Sequence, residues 1–335
     1  MKKFLWIAVV FVAAVACEET PKPETVEVEE TTSELTDSLG WINQQIIQNP
    51  NNPELYMNKA QFFLKNGELQ QAMDEADRAI SIDSNQTAYY TFKADALYDA
   101  NELLDAKEMY LKVISIDEKN VNANMQMGWI SLIAGLHEES FVYCNEVLKV
   151  NQYVPEPYYV KGLCYKELGN FKLAVSNFRT AAEQDNDYLE AWLQLGYMYD
   201  AAEDTLAGAF YENALRIDSN NMDALYAFGM HLQNWGLSEE AIAQYQHMIR
   251  VDNHSHDAFY NIGYVYLEQV QNYDSAIKYY DKVVTLNPYN FKGYYNRGLA
   301  FERDNNRENA KADFGKSLEL KPDYTPAAKA MSRVH

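Results

Sequence analysis

The chain has 335 residues, 47% of them hydrophobic and 23% charged, with a formal net charge of −21. Such an acidic chain is repelled by nucleic-acid phosphates and anionic membranes and favours neutral or cationic partners. It contains no phosphate-binding glycine loop, zinc-protease helix or nucleophile elbow, so no motif points to an enzyme or to a cofactor.

Lys2 and Lys3 precede an apolar run from Phe4 to Ala16. That run is shorter than the about 20 residues a bilayer span needs, so it reads as a targeting segment. It resembles a bacterial lipoprotein signal peptide, with Ala14-Val15-Ala16-Cys17 in place of the lipobox; Ala14 departs from the usual leucine. The resemblance implies that residues 1–16 are removed, that Cys17 is lipidated, and that the chain is exported and held on a bacterial membrane. The outer membrane, on its periplasmic or surface side, is the expected location. An ordinary secretory signal cut after Ala16 is the alternative. Residues 17–32 then read as a lipidated cysteine followed by an acidic, proline-containing tether.

From residue 33 the pattern becomes helical. Leu35, Leu39, Ile42 and Ile46 form one apolar stripe, Thr32 or Ser33 is placed to cap it, and Pro50 stops it. Residues 33–52 are therefore expected to form an N-terminal capping helix. Eight repeats follow, at 53–86, 87–120, 121–154, 155–188, 189–221, 222–255, 256–290 and 291–324. The fifth is one residue short, and the deletion is expected in the turn around Glu203 and Asp204. The seventh is one residue long, with the insertion expected around Gln271 and Asn272. Residues 325–335 read as a C-terminal capping helix with Pro326 near its start.

Within Pro155 to Tyr188, Gly162, Tyr165, Gly169, Ala174, Phe178 and Ala181 occupy fixed offsets that recur in the other copies. Two apolar stripes at helical spacing flank a glycine turn. The small Gly162 and Ala174 are expected where the two helix axes cross. This spacing resembles the tetratricopeptide repeat. The resemblance implies an all-α, right-handed superhelical solenoid of about eight helix-turn-helix repeats with capping helices at both ends. It also implies a concave groove lined by positions 2, 5, 9, 12 and 13 of each first helix. By that implication the partner-binding groove contains Trp129, Tyr159, Tyr197, Tyr226, Tyr260, Tyr264 and Tyr295, with Glu190 and Asp223 among its acids. The bland reading is that such tyrosines pack between neighbouring first helices. The chaperone-binding branch of the family carries Lys at position 5 and Asn at position 9; this chain has neither there.

Other clusters have ordinary explanations. Cys144 and Cys164 fall on packing positions and read as two buried thiols rather than a disulfide. His254 and His256, flanked by Asp252 and Asp257, sit in a loop between repeats, and no metal site is expected there. Asp204-Thr205-Leu206 and Asp274-Ser275-Ala276 resemble Bacteroidetes O-glycan attachment sites, which makes Thr205 and Ser275 candidates for modification. Helix capping by the same residues is the competing reading.

The functional expectation is a non-enzymatic, envelope-anchored adaptor that holds a protein or an extended peptide, neutral to basic, in a tyrosine-rich acidic groove. It needs no cofactor, binds no nucleic acid, and meets the membrane through its lipid alone. The alternative is a surface lipoprotein that binds glycan or peptidoglycan.

Overall fold

The structure, a computed structural model, describes residues 27–334, with side chains from Ser38 onward. The expected signal peptide, Cys17 and most of the expected tether lie outside the described residues. Among the described residues every regular element is helical, and no helix is long and apolar enough to cross a membrane. Two compact units divide at Ala100.

The first unit contains α1 (Glu27–Gln48), α2 (Pro53–Lys65), α3 (Leu69–Ile82) and α4 (Thr87–Asp99). Helix α1 begins inside the segment expected to be tether. The last early proline is Pro23, and nothing from Glu24 to Gln48 bars a helix. Asn52 caps α2 with its side chain, and Pro53 opens it. Met57, Ala60, Ala76, Ala79 and Tyr89 form the core of this unit. Tyr89 donates its phenol to Glu54 Oε1 at 2.7 Å. Burial, and then that carboxylate, push the Tyr89 pKa up to about 12.

The second unit runs from α5 (Leu103–Ile116) through α6 (Val121–Ile133), α7 (His137–Val150), α8 (Pro155–Glu167), α9 (Phe171–Gln184), α10 (Leu189–Ala201) and α11 (Ala207–Ile217). It continues with α12 (Met222–Asn234), α13 (Ser238–Val251), α14 (His256–Tyr264), α15 (Tyr273–Leu286), α16 (Phe291–Arg303), α17 (Arg307–Leu320) and α18 (Thr325–Arg333). Each hairpin packs on the next, so the core is a chain of local clusters: one at Met125, Cys144 and Val160, one at Phe178 and Leu195, one at Tyr211, Leu225 and Tyr245, one at Tyr280, and one at Phe314. Such an array is stabilised by nearest neighbours.

The crossing within the glycine-bearing hairpins differs from the expectation in one respect: the space a Cβ would take on the first-helix glycine is bounded most closely by the second-helix residue one turn after the small one. A Cβ on Gly162 would lie 2.6 Å from the Phe178 ring, and one on Gly298 would lie 2.7 Å from the Phe314 ring. Ala174 and Ala207 are fully buried, so the small second-helix position is still closely packed. In the third repeat the ring is replaced by Cys144, and Ser140 bonds back to Gly128 O at 2.8 Å. Both cysteines are free and buried.

The two irregular repeats also differ from the expectation. The extra residue of the seventh is absorbed inside the first helix, as a π-helical stretch (Val265–Val270) continuing α14, and Gln271 closes it with φ of 57°. The missing residue of the fifth comes out of the start of the second helix. Helix α11 begins only at Ala207, and Ala207, Gly208 and Ala209 donate to the carbonyls of Asp204, Thr205 and Leu206, three residues back. Both changes leave the buried faces in register.

Candidate functional site

The first helices of the second unit carry the aromatic residues expected in the groove, but in unequal environments. Tyr197, Tyr226 and Tyr264 are exposed, at 37%, 39% and 39%. Tyr260, Tyr295 and Trp129 are half-buried. Tyr159 is buried at 9% exposure, with Trp129, Phe178 and Tyr188 around its ring at centroid distances of 6.0, 5.7 and 5.1 Å. It is a core residue, because Trp129 of the preceding repeat and Phe178 and Tyr188 of its own are large enough to close over it. Trp129 donates its indole N–H to Glu156 Oε1 at 2.6 Å. Glu190 and Asp223 are exposed.

Burial raises the pKa of Tyr159, with Glu190 adding to it, and burial followed by Asp223 does the same for Tyr197. Tyr260 and Tyr295 are also raised, first by burial. At neutral pH these phenols stay protonated, so those that reach solvent present apolar rings with a hydrogen-bonding tip.

One cavity, of about 270 Å³, opens on this face. Tyr226 of the sixth repeat, His256, Asp257, Tyr260, Asn261 and Asn290 of the seventh, and Lys292 at the start of the eighth line it. Its walls are pre-positioned. His256 stacks on Tyr260 with a 22° interplanar angle. Asn290 Nδ2 lies 2.7 Å from His256 Nε2, and Asn296 donates to Tyr260 Oη at 2.7 Å. Asn290 also caps α16 through the Gly293 amide. Asp257 and Lys292 place opposite charges at the same cavity, both exposed. The arrangement can hold a flat or chain-like ligand by ring contact and satisfy both donors and acceptors on it.

Lys292, Asn290 and Asn261 were not singled out from the sequence, because the cavity draws on three repeats at once. Their only signal was polarity near helix starts, which turn chemistry already explains.

The histidine cluster does not converge. His254 Nδ1 lies 3.9 Å from Asp252 and His256 Nδ1 lies 3.7 Å from Asp257, while the other nitrogen of His256 meets Asn290. Among the described residues no three His, Cys, Asp or Glu side chains are placed to share a metal ion. Thr205 is exposed in its turn; Ser275 is half-buried, with its amide bound to Asn272 Oδ1 at 3.0 Å.

Comparison with known proteins places this geometry in context. The tetratricopeptide repeat model matches residues 53–86, 87–120, 155–188, 256–290 and 291–324. Among solved structures, YrrB, a TPR protein with an unusual peptide-binding site, is similar at 22% identity and a TM-score of 0.50. The match covers 56% of this chain and 97% of that one. MamA is similar at 25% identity and a TM-score of 0.48, over 51% of this chain and 93% of that one. The Cut9–Hcn1 hetero-tetramer of the APC/C contains a chain similar at 15% identity and a TM-score of 0.47, over 90% of this chain and 59% of that one. A search of curated proteins found no match. With more than half its residues matched by one repeat model and every described element helical, the chain belongs to the tetratricopeptide repeat family.

Proposed function

We propose that the chain is a non-enzymatic scaffold that binds an extended polypeptide on the first-helix face of its second unit. The observation that carries this reading is the coincidence of exposed tyrosines from successive repeats with a polar cavity at Tyr226, Tyr260 and Lys292. The rings supply contact area at low entropic cost, and the amides and charges supply orientation. The net charge of −21 favours a neutral or basic partner, and Lys292 offers one place for an acidic group of that partner. Peptide binding by YrrB makes the same use of the fold in a relative that resembles this chain in structure.

The cell address belongs to the same proposal. The apolar run before Cys17 supports export and lipid attachment at that residue, with the repeats held on the envelope face of a bacterial membrane. The deciding experiment is crosslinked co-purification from native envelopes, comparing the parent chain with Tyr226→Ala. Loss of a polypeptide adduct in the variant supports the reading, and an unchanged adduct pattern removes the groove from it.

A second reading is favoured by the cavity itself. Asn261, Asn290 and the Tyr226 and Tyr260 rings are the groups that bind sugar hydroxyls and sugar faces. A glycan array probed with the full chain separates the two, because a peptide scaffold binds no array member.

A further inference from the structure

The turns that join the two helices of each repeat form a continuous edge of the second unit. Cross-repeat contacts fix that alignment. Lys107 pairs with Glu139 at 3.0 Å, His137 with Glu167 at 2.7 Å, Asp200 with His231 at 2.6 Å, and Ser238 with Gln269 at 2.8 Å. Each joins the turn region of one repeat to that of the next.

This edge carries large apolar side chains that no described residue covers. Leu136, Leu168, Leu206, Trp235, Leu237 and Val270 are all exposed, Leu168 at 53% and Leu206 at 54%. A turn needs none of these residue types; glycine, asparagine and aspartate are what turn geometry selects. Two cavities lie among them. One, of about 410 Å³, is lined by Leu136 and Leu168 with Glu138 and Glu139. The other, of about 500 Å³, is lined by Asp200, Glu203, Asn234 and Trp235.

Acids at the starts of second helices are favoured by the helix dipole and explain themselves. The alternation of acids with exposed leucine and tryptophan does not. Asp200 is also held in place from behind. Tyr211 donates to its Oδ2 at 2.8 Å, and buried His231 contacts its Oδ1.

We infer that this edge is a second docking surface, bordering the tyrosine face through Asp200 and Asn234, for a basic amphipathic polypeptide segment. Apolar side chains of that segment fill the Leu136 and Leu168 cavity. A lysine or arginine enters the Trp235 cavity, where the indole face and the Asp200 and Glu203 carboxylates both favour a cation. Charge selects this occupant over the others. A second copy of the chain would bring acid against acid, and an anionic bilayer is repelled in the same way.

The test uses the full chain and three labelled synthetic peptides: one of alternating leucine and lysine blocks in amphipathic register, one with glutamate for lysine, and one with serine for leucine. Fluorescence anisotropy should show the leucine–lysine peptide binding at least tenfold more tightly than either control. Leu136→Asp with Leu168→Asp, and separately Trp235→Ser, should each weaken it at least tenfold, while Val150→Asp, an exposed position at the opposite end of α7, leaves it unchanged. Because all three edge residues are exposed, the variants should keep the parent helicity. Photocrosslinking of the same peptide to the unmodified chain gives a reading that needs no variant: adducts should map to the turns. The inference is overturned by equal binding of the serine–lysine peptide, by adducts on Tyr226 or its neighbours, or by edge variants that bind normally. It is also overturned if the free chain sediments as a dimer that Leu136→Asp dissociates. Failure of Tyr226→Ala to affect native envelope partners would count against the tyrosine face alone.

Discussion

The ring of Tyr211 occupies the space that a Cβ on Gly196 would fill. The same relationship joins Gly162 to Phe178, Gly229 to Tyr245 and Gly298 to Phe314, so the glycine and the aromatic are one packing unit. In the first repeat both members are alanine, Ala60 and Ala76, and both are fully buried. The crossing is therefore kept close by whichever pair of sizes fits.

Gly196→Ala should destabilise the chain by about 1–3 kcal/mol, because the added methyl meets a fully buried ring rather than a flexible tip. That exceeds the gain of about 1 kcal/mol expected for alanine over glycine inside a helix. Gly128→Ala should cost less, since its Cβ would sit 3.0 Å from the single Sγ of Cys144. Thermal melts of the two variants check the order. A Gly196→Ala melt at or above the parent would reject the pairing.

Gln271 ends the π-helical stretch in the left-handed region, at φ of 57°, where a side chain is strained. Equivalent turns elsewhere use Gly67, Gly135, Gly169 and Gly236 in four repeats, and Asn101, Glu203 and Asn305 in the other three. Gln271→Gly should raise stability by up to about 1 kcal/mol, because the native φ costs glycine nothing. Denaturant melts monitored by circular dichroism measure it. A loss of stability would mean that the Gln271 side chain contributes more than its backbone costs.

The helical period and the repeat register were legible because each is set within one repeat. The caps were not: Asn120, Asn221 and Asn290 each cap the next repeat's first helix from the last position of their own repeat, after the turn formers. What else was not legible depends on neighbours. Tyr159 and Tyr226 share a repeat position, yet one is closed over by Trp129 and Tyr188 and the other is open. The insertion near Gln271 could equally lengthen a turn or bulge a helix, since either keeps the flanking stripes aligned. The acidic edge escaped notice because single exposed leucines are ordinary, and only the stacking of turns puts them side by side.

Alkaline conditions should unfold the chain. Burial pushes the Cys144 thiol up to about 12 and raises the buried phenols of Tyr211, Tyr245 and Tyr280 further still. In the unfolded chain these groups ionise near about 8.5 for cysteine and about 10 for tyrosine. Folded values above unfolded ones mean that the stability is intact below those unfolded values and is lost as pH rises through the interval toward the folded ones. Melting temperature should hold from pH 7 to about pH 8.5 and fall steadily above it. Tyr280 sharpens the test. Among the described residues its buried Oη makes no well-formed hydrogen bond, and the nearby Asn296 amide lies at 2.7 Å from Tyr260 Oη instead. Tyr280→Phe should be neutral or slightly stabilising at pH 7 and should shrink the alkaline loss. A large destabilisation at pH 7 would show that the hydroxyl is satisfied after all.

The tyrosine face can be separated from the core by comparing two residues at one repeat position. Tyr159→Ala removes a ring enclosed by Trp129, Phe178 and Tyr188, and should cost about 3–5 kcal/mol, as large aromatic truncations in cores do. Tyr226→Ala removes a ring that is 39% exposed and borders the polar cavity, and should leave the melt within about 1 kcal/mol of the parent. Partner capture should follow the opposite order once unfolding is accounted for: Tyr226→Ala should weaken it at unchanged helicity, by the 1 kcal/mol or more that a central aromatic contact contributes. Charge adds an independent axis. Lys292→Glu removes the cation at the cavity, and Asp223→Lys reverses an exposed acid on the sixth repeat's first helix. For a basic partner the Asp223→Lys variant should mainly slow association, with an effect that salt suppresses. Lys292→Glu should speed association with such a partner unless an acidic group of that partner sits in the cavity, in which case dissociation accelerates instead. Stopped-flow association and dissociation rates, taken at two salt concentrations, distinguish these outcomes. If none of the three exposed-face variants alters either rate, the partner does not bind on the tyrosine face.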